Sequence, residues 1–334
     1  MNNRNLNQLH RLDRALGCLA GHLIGDNLGA QYEFRSARQV CTQLIDDGLE
    51  MRDGGHWGII AGQPTDDGEL MLALLRSLVE HRRYDAKSVA SAYVSWLDSG
   101  PFDCGCTIGA AITSLRQWLT DEGEGRPPLG LAGSQANGAL MRVAPIGVFA
   151  NGDVEKAVRW AAQDAALTHP NRNCVTVNSI YAAGIACGIA GGDGRAMLST
   201  MHQVALAAEN DEVLAWFDHT DIKPLEFDGP QQGWVKLAFI NALHVLREEM
   251  NFRDAMTHTI ARGGDTDTNA AIAGGLLGAC LGIQNLPDQW VSALEACRPD
   301  TRSNSRHPRP ACYWPGEMFT LVGRWSEEGM EAAF

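Results

Sequence analysis

The sequence predicts an all-α fold, and three observations carry that prediction. Apolar residues recur at helical spacing in several separate stretches, no strand-like alternation reaches useful length, and no fixed-period repeat divides the chain. With 334 residues, 45% of them hydrophobic, the chain can bury a large core. Residues 1–11 lack an apolar signal core and are expected to form a flexible lead, with one compact multi-helix domain over 12–334.

Leu12 to Ala30 reads as the first helix, with Leu16, Leu19, Ala20 and Leu23 at helical spacing. Gly17, Gly21, Gly25 and Gly29 fall every fourth residue along it, a small-residue stripe that lets a second backbone come close. Asp26 and Glu33 bracket its C-terminal end, where acids oppose the helix dipole. A local rule broken in this way marks a place to look for function. Gln39 to Gly62, punctuated by Gly48, Gly54, Gly55 and Gly58, reads as loop-like.

Pro64-Thr65-Asp66-Asp67-Gly68-Glu69 opens a helix whose Met71, Leu74, Leu75 and Leu78 follow the i, i+3, i+4, i+7 pattern. Asp66 with Glu69 fits a capping box, which leaves Thr65 and Asp67 unexplained. Asp85 to Leu97 is the next helix, ended by the turn Asp98-Ser99-Gly100-Pro101. Phe102 to Thr107 is a tight loop, in which Asp103 has the ordinary reading of a turn acid, before a helix over Ile108 to Leu119. Residues 121–133, with Pro127-Pro128, form a surface loop.

Gly133-Ser134-Gln135-Ala136-Asn137-Gly138-Ala139-Leu140-Met141-Arg142 is a small-residue loop leading into a helix. Loops of this kind can present backbone N–H groups to a diphosphate, although this one is neither a Walker loop nor a G-x-G-x-x-G. Thr168-His169-Pro170-Asn171 breaks two helices, and a lone His there is more commonly a structural hydrogen-bonder than a catalyst. Cys174 to Gly192 has nearly membrane-spanning length and no charge, but Thr176, Asn178 and Ser179 make it a buried bundle helix. Phe239, Leu243, Leu246 and Met250, then Phe252 to Arg262, continue the helical pattern.

Composition narrows the partners. A formal net charge of −13 argues against nucleic acid as the main partner, because holding a polyphosphate backbone takes basic residues. An anionic small molecule stays open, since bound metals and backbone N–H groups supply positive potential that net charge hides. The 9 cysteines are scattered, odd in number and without a CxxC pair. That usage fits buried thiols in a reducing compartment, so a cytoplasmic location with no membrane partner is expected.

Gly263-Gly264-Asp265-Thr266-Asp267-Thr268-Asn269 then runs into the apolar segment Ala270 to Gly282. Asp265, Asp267 and Thr268 make a compact oxygen cluster at a helix mouth, the chemistry that Mg2+ and Mn2+ prefer. Ordinary N-capping by Asp267 or Thr268 is the alternative for this stretch alone. Thr65, Asp66 and Asp67 repeat the same ingredients about 200 positions upstream. Each cluster supplies about half of an octahedral shell, so the pair points to a shared two-metal site if the helices meet.

Taken in order, Gly25-Asp26-Asn27-Leu28-Gly29 with Glu33, Thr65-Asp66-Asp67, Ser134, Asn137 to Pro145, Thr168-His169 and Gly263 to Thr268 resemble the ADP-ribosylglycohydrolase family, including its dinitrogenase reductase activating branch. The resemblance covers about residues 12 to 285 and implies an orthogonal all-α fold that cleaves ADP-ribose from modified side chains. It implies a binuclear Mg2+ or Mn2+ centre held by Thr65, Asp66, Asp67, Asp265, Asp267 and Thr268, with Glu33 at or beside the metals. Gly133, Ser134, Gln135, Asn137, Gly138 and Met141 would hold the diphosphate and the distal part of ADP-ribose, and His169 would line the pocket. The segment from Trp96 to Thr107, with Asp103 and Gly105 near the proximal ribose, resembles the arginine-specific branch. Ala136 stands where the family usually has Gly.

The implied activity is metal-dependent removal of ADP-ribose from arginine side chains of proteins. Glu33 or Asp67 would orient or deprotonate water, and Asp103 would assist proton movement at the ribose or the leaving guanidine. Two other classes remain: hydrolysis of serine-linked, polymeric or O-acetyl-ADP-ribose, and a non-catalytic module that binds ADP-ribose or a toxin partner.

Overall fold

The structure, a computed structural model, describes residues 3–121, 127, 128, 130–219, 221–223 and 225–331, so part of the expected 121–133 loop lies outside the described residues. Among the described residues every regular element is helical, and extended pairing is confined to isolated bridges such as Ser36 to Gly263 and Ala136 to Trp234. The all-α expectation therefore holds.

The chain opens with α1 (Asn3–Ala30), α2 (Ala37–Asp47), α3 (Asp66–His81), α4 (Ala86–Asp98) and α5 (Cys106–Thr120). A 3-10 turn at Asn137–Arg142 leads into α6 (Ala144–Ala150), followed by α7 (Val154–Thr168), α8 (Arg172–Ile189), α9 (Gly194–Ala207) and α10 (Asp211–Asp218). The last third holds α11 (Val235–Arg247), α12 (Phe252–Ile260), α13 (Thr266–Leu281), α14 (Asp288–Ala296) and α15 (Glu317–Glu331). One apolar core runs from Ala15 on α1 to Val322 on α15. The charge-free helix α8 is buried along almost all of its length, and no helix among the described residues is long and apolar enough to cross a membrane.

Several boundaries differ from the sequence expectation. Helix α1 begins at Asn3 rather than Leu12, so the stretch expected as a flexible lead is helical over its described part. The loop-like region after Gln39 contains α2, which a capping box between Ser36 and Gln39 initiates. Its single buried residue, Val40, left no apolar periodicity to read. The N-cap of α3 is Thr65, whose Oγ1 accepts from Asp67 N–H, so Asp66 stands in the first turn and forms no capping box. Helix α13 likewise starts at Thr266, and neither Asp267 nor Thr268 caps it.

The glycine stripe positions the rest. Helices α1 and α13 cross with backbones in contact: a Cβ on Gly21 would lie 2.4 Å from the Gly274 carbonyl oxygen, and one on Gly25 2.1 Å from that of Ala270. Only glycine permits that approach. It brings the C-terminal end of α1 to the N-terminal end of α13, where Thr266 Oγ1 donates to the Gly29 carbonyl at 2.7 Å. Beyond the helix, Phe34 N–H donates to Gly264 O at 2.9 Å and Gly264 N–H to Arg35 O at 2.8 Å. Gly264 sits at φ 76 with no room for a side chain beside the Phe227 carbonyl.

Helix α1 also fixes α3. The Asp26 carboxylate accepts from Thr65 N–H, from Thr65 Oγ1 at 2.8 Å and from Gly68 N–H at 3.0 Å. Asn27 Nδ2 donates to the carbonyls of Ile60 and Gln63, and its Oδ1 accepts from Gly62 N–H. The acid that opposed the dipole of its own helix thus satisfies orphan donors at the mouth of another.

Candidate metal centre and active site

Two helix mouths that lie about 200 residues apart in sequence converge beside the end of α1. Thr268 Oγ1 donates to Asp67 Oδ2 at 3.2 Å across the gap, and Thr65 Oγ1 reaches the same oxygen at 3.3 Å. Glu33, Asp66, Asp67, Asp103, Asp265 and Asp267 line one cavity of about 310 Å³, together with Thr268, Gly105, Asn137, Gly138, Met141 and His169. Oxygen atoms of Glu33, Asp103 and Asp267 lie within 4.8 Å of one another. Among the described residues, no Lys or Arg lines this cavity.

Burial and mutual repulsion raise several of these carboxylates. Burial, then the charges of Asp103 and Asp265, pushes Glu33 up to about 8, even though Trp57 Nε1–H donates to it at 2.6 Å. Burial raises Asp103 to about 6 and Asp26 to about 7. Asp66, Asp67 and Asp267 are raised well above the carboxylate range, by burial first and then by their acidic neighbours. Carboxylates crowded in this way call for a cation or for protons.

The donor set fits a hard divalent metal. All of its candidate ligand atoms are carboxylate or hydroxyl oxygens, and Asp67 Oδ1 is buried with no hydrogen-bond partner. Thr65, Asp66, Asp67, Asp265, Asp267 and Thr268 are the residues that would hold such ions, with Glu33 and Asp103 beside them. Asn137, expected to touch substrate, donates its amide N–H to Asp265 Oδ2 at 2.7 Å and so also orients a candidate ligand.

The 133–141 segment divides between two spaces. Asn137, Gly138 and Met141 face the acidic cavity, whereas Gly133 and Gln135 line an adjoining one of about 480 Å³ with Pro230, Gln231 and Trp234. Ala136 and Gly233 line both. Gln135 Oε1 accepts from Trp234 Nε1–H at 3.0 Å, and Ser134 Oγ lies 3.1 Å from Thr107 Oγ1 rather than lining either space. The segment is held by Arg142, fully buried, which pairs with Asp164 and donates to the Gly138 carbonyl. Tyr93 Oη completes that network at 2.8 Å from Asp164.

His169 lines the acidic cavity. Its Nδ1 lies 2.8 Å from Thr168 Oγ1, and its Nε2 is buried without a partner. Burial lowers its pKa to about 3, so the ring stays neutral at pH 7 and brings no positive charge to a phosphate. Trp96, the first residue of the segment that resembles the arginine-specific branch, is core: it is fully buried and donates Nε1–H to Glu69 at 2.7 Å.

Several contributors are invisible to spacing arguments. Arg309 binds Glu69 and donates to the carbonyls of Ser99 and Gly100, at the base of the loop that carries Asp103. Trp57 holds Glu33, and Gln232 and Gly233 close the far side of the cavity. Arg309 and Gln232 stand in no acidic or glycine-rich motif, and Trp57 lies in the glycine-punctuated stretch read only as loop-like. Only the local oddity of Asp26, an acid inside an apolar helix face, had a signal in sequence.

An all-helical scaffold that brings oxygen side chains from two helix mouths to one cavity defines a class of architecture: helical proteins with a candidate hard-cation centre. The sequence pattern of ADP-ribosylglycohydrolases matches residues 7–315, and the chain belongs to that family. It is 29% identical to the ADP-ribosyl-[dinitrogen reductase] glycohydrolase of Rhodospirillum rubrum, over 85% of this chain and 90% of that one. Identity to the bovine (Bos taurus) ADP-ribosylhydrolase ARH3 is 26%, over 85% and 89% of the respective chains. A solved structure described as an ADP-ribosylglycohydrolase-related protein complex shares the fold, with a TM-score of 0.70 at 24% identity over 96% of this chain and 99% of the other.

Proposed function

We propose that this protein removes ADP-ribose from ADP-ribosylated arginine side chains of proteins, with two divalent ions, Mg2+ or Mn2+, held in the acidic cavity. The observation that carries the reading is the meeting of Thr65-Asp66-Asp67 with Asp265, Asp267 and Thr268 around a buried, unpartnered Asp67 oxygen. Bound divalent ions would orient the ribose hydroxyls and lower the pKa of a water molecule.

The chain's own residues supply the remainder. Glu33, fixed by Trp57, is placed to take a proton from the attacking water, with Asp67 the other acid available for that role. Water oxygen bonds to ribose C1 as the C1–N bond breaks, and Asp103 hands a proton to the departing guanidine nitrogen. The transition state gathers positive character on the sugar, which the surrounding carboxylates favour. Asn137, Gly138, Met141 and neutral His169 wall the ribose side, while the adjoining space at Gly133, Gln135 and Trp234 takes the distal part of ADP-ribose.

Release of ADP-ribose from an arginine-ADP-ribosylated protein, with and without Mg2+ or Mn2+, tests the proposal when wild type is run beside Asp267→Ala. Metal-dependent release that the variant loses is the expected result. No release by folded, metal-loaded wild type would sink the arginine assignment. Because the chain is similar to the bovine ADP-ribosylhydrolase ARH3 nearly as much as to the dinitrogen reductase glycohydrolase, a serine-linked, polymeric or O-acetyl conjugate is the second reading. The same assay on those linkages separates the two.

A further inference from the structure

Phe34 lines the acidic cavity and heads a row of rings that runs on beside it. Phe34 directly follows Glu33, Trp57 donates to Glu33, and Phe102 directly precedes Asp103. Two histidines brace them. The His56 ring stands edge-on to Phe34 at 4.9 Å and to Trp57 at 4.8 Å, and His307 stacks on Phe102 at 4.5 Å. His307 Nε2 also lies 3.0 Å from the Trp57 carbonyl oxygen, which locks the far end of the row.

Phe34 is the anomaly within it. Its φ of 63 lies in the left-handed region, which a bulky residue rarely adopts. The other non-glycine residues with positive φ among the described ones, Arg82, Asn151, Glu209 and Glu249, stand one or two positions past a helix end, where that conformation terminates the helix. Phe34 ends no helix in that way. Its backbone is tied to Gly264, and the residue is 52% exposed while lining the cavity, the one aromatic among the large exposed hydrophobics described. Strain that holds an exposed ring over a cavity is the kind that serves recognition.

We infer that this row, led by Phe34, is the subsite for the acceptor side chain, and that it takes the planar guanidinium cation of the arginine to which ADP-ribose is attached. The inference rests on the arginine reading proposed above. The adjoining space assigned above to the distal part of the nucleotide meets the acidic cavity at Ala136 and Gly233, whereas the rings adjoin Glu33 and Asp103, the two acids given proton-transfer roles in the arginine reading. Ring faces attract cations through their quadrupole, and the neighbouring carboxylates add to that attraction, with no Lys or Arg among the described residues that line the cavity. A serine-linked or O-acetyl conjugate carries no cation there and gains nothing from the row. Because the rings are braced before substrate arrives, little ordering cost reduces the selectivity.

The test compares wild type, Phe34→Leu and Phe34→Tyr, all loaded with Mn2+, on ADP-ribosyl-agmatine, and measures ADP-ribose affinity by calorimetry. Phe34→Leu should raise KM for the guanidine conjugate about tenfold, the scale of a partly desolvated cation–π contact, with ADP-ribose affinity unchanged. Phe34→Tyr, which keeps the ring face, should stay within about twofold of wild type. An unaltered KM in Phe34→Leu overturns the subsite, as does an equal loss of ADP-ribose affinity, which would assign the ring to the nucleotide. Wild type that binds ADP-ribose yet leaves ADP-ribosyl-agmatine intact overturns the arginine reading itself, a result distinct from either.

Discussion

Arg309 and Glu69, 240 positions apart, form a buried two-point ion pair: Nε donates to Oε1 at 2.7 Å and Nη2 to Oε2 at 2.9 Å. The same guanidinium reaches the Ser99 and Gly100 carbonyls at 3.0 and 3.1 Å and Ser99 Oγ at 2.7 Å. Glu69 lies on the helix that carries Asp66 and Asp67, and Ser99 begins the turn that leads to Asp103. One side chain near the C-terminal end of the fold therefore ties together two parts of the acidic site.

Replacing Arg309 by Met should cost about 3–5 kcal/mol of unfolding free energy in urea titration, since it leaves the Glu69 carboxylate buried without its partner. Arg309→Lys keeps a charge and loses the fork to the carbonyls. We expect it to fold, with kcat reduced more than its stability implies because the Asp103 loop loses its anchor.

Asp267 gives opposite signs for stability and metal response. Asp267→Asn removes one member of a buried, crowded acidic set, so the metal-free protein at pH 8 should gain stability as the burial of a charge and the repulsion from Glu33 and Asp67 are relieved. The rise in Tm on adding Mn2+ should largely disappear. A purely capping Asp would instead lose stability in the absence of metal, and differential scanning calorimetry with and without EDTA separates the two.

The acid shifts set a pH dependence. Glu33, Asp26 and Asp103 are raised to about 8, 7 and 6, so the native metal-free protein holds protons that the unfolded chain releases from about pH 4 upward. Their stabilisation is complete below the unfolded carboxylate pKa and is lost as pH rises through 6 to 8. His22 and His169, lowered to about 4 and 3 by burial, act in the other direction below pH 6.5 and do so with or without metal. The gap between Tm in Mn2+ and Tm in EDTA should therefore widen steadily from pH 5 to pH 8. A gap that stays constant would contradict the shifted carboxylates.

Gly25→Ala probes the crossing of α1 and α13. The added methyl meets the Ala270 carbonyl oxygen at 2.1 Å, against backbone rather than a movable side chain. Overpacking of this kind costs about 1–3 kcal/mol or more, and it also displaces the mouth of α13 relative to Asp67. We expect lower stability in urea together with weaker Mn2+ binding in the fraction that folds.

Helix identity was largely legible along the chain, because apolar spacing is a local property. The boundaries of α4, α5, α8 and α12 fall close to the periodic stretches. Helix α2 escaped, since it buries little more than Val40, and α1 extends further toward the N-terminus than its apolar residues do. The chemistry of Thr65 to Asp67 and of Asp265 to Thr268 was legible for the same local reason: hydroxyls and carboxylates stand close together beside glycines. What they do for their own helices was less legible: Asp66 forms no capping box, and the capping alternative for Asp267 and Thr268 is not taken, because a cap depends on backbone angles that residue types only bias.

By itself, then, the sequence determined that the chain is helical, that two oxygen clusters stand at helix mouths, and that α1 carries a face able to accept a second backbone. Tertiary structure alone decided that these features belong together. Whether Asp67 and Thr268 touch depends on how closely α1 and α13 approach along Gly21 and Gly25, and on Asp26 seizing the mouth of α3. It likewise placed Trp57 on Glu33 and Arg309 between Glu69 and the Asp103 loop. Hydrogen bonds between residues tens to hundreds of positions apart leave no periodicity in the chain, because their partners are selected by packing distance and burial rather than by spacing.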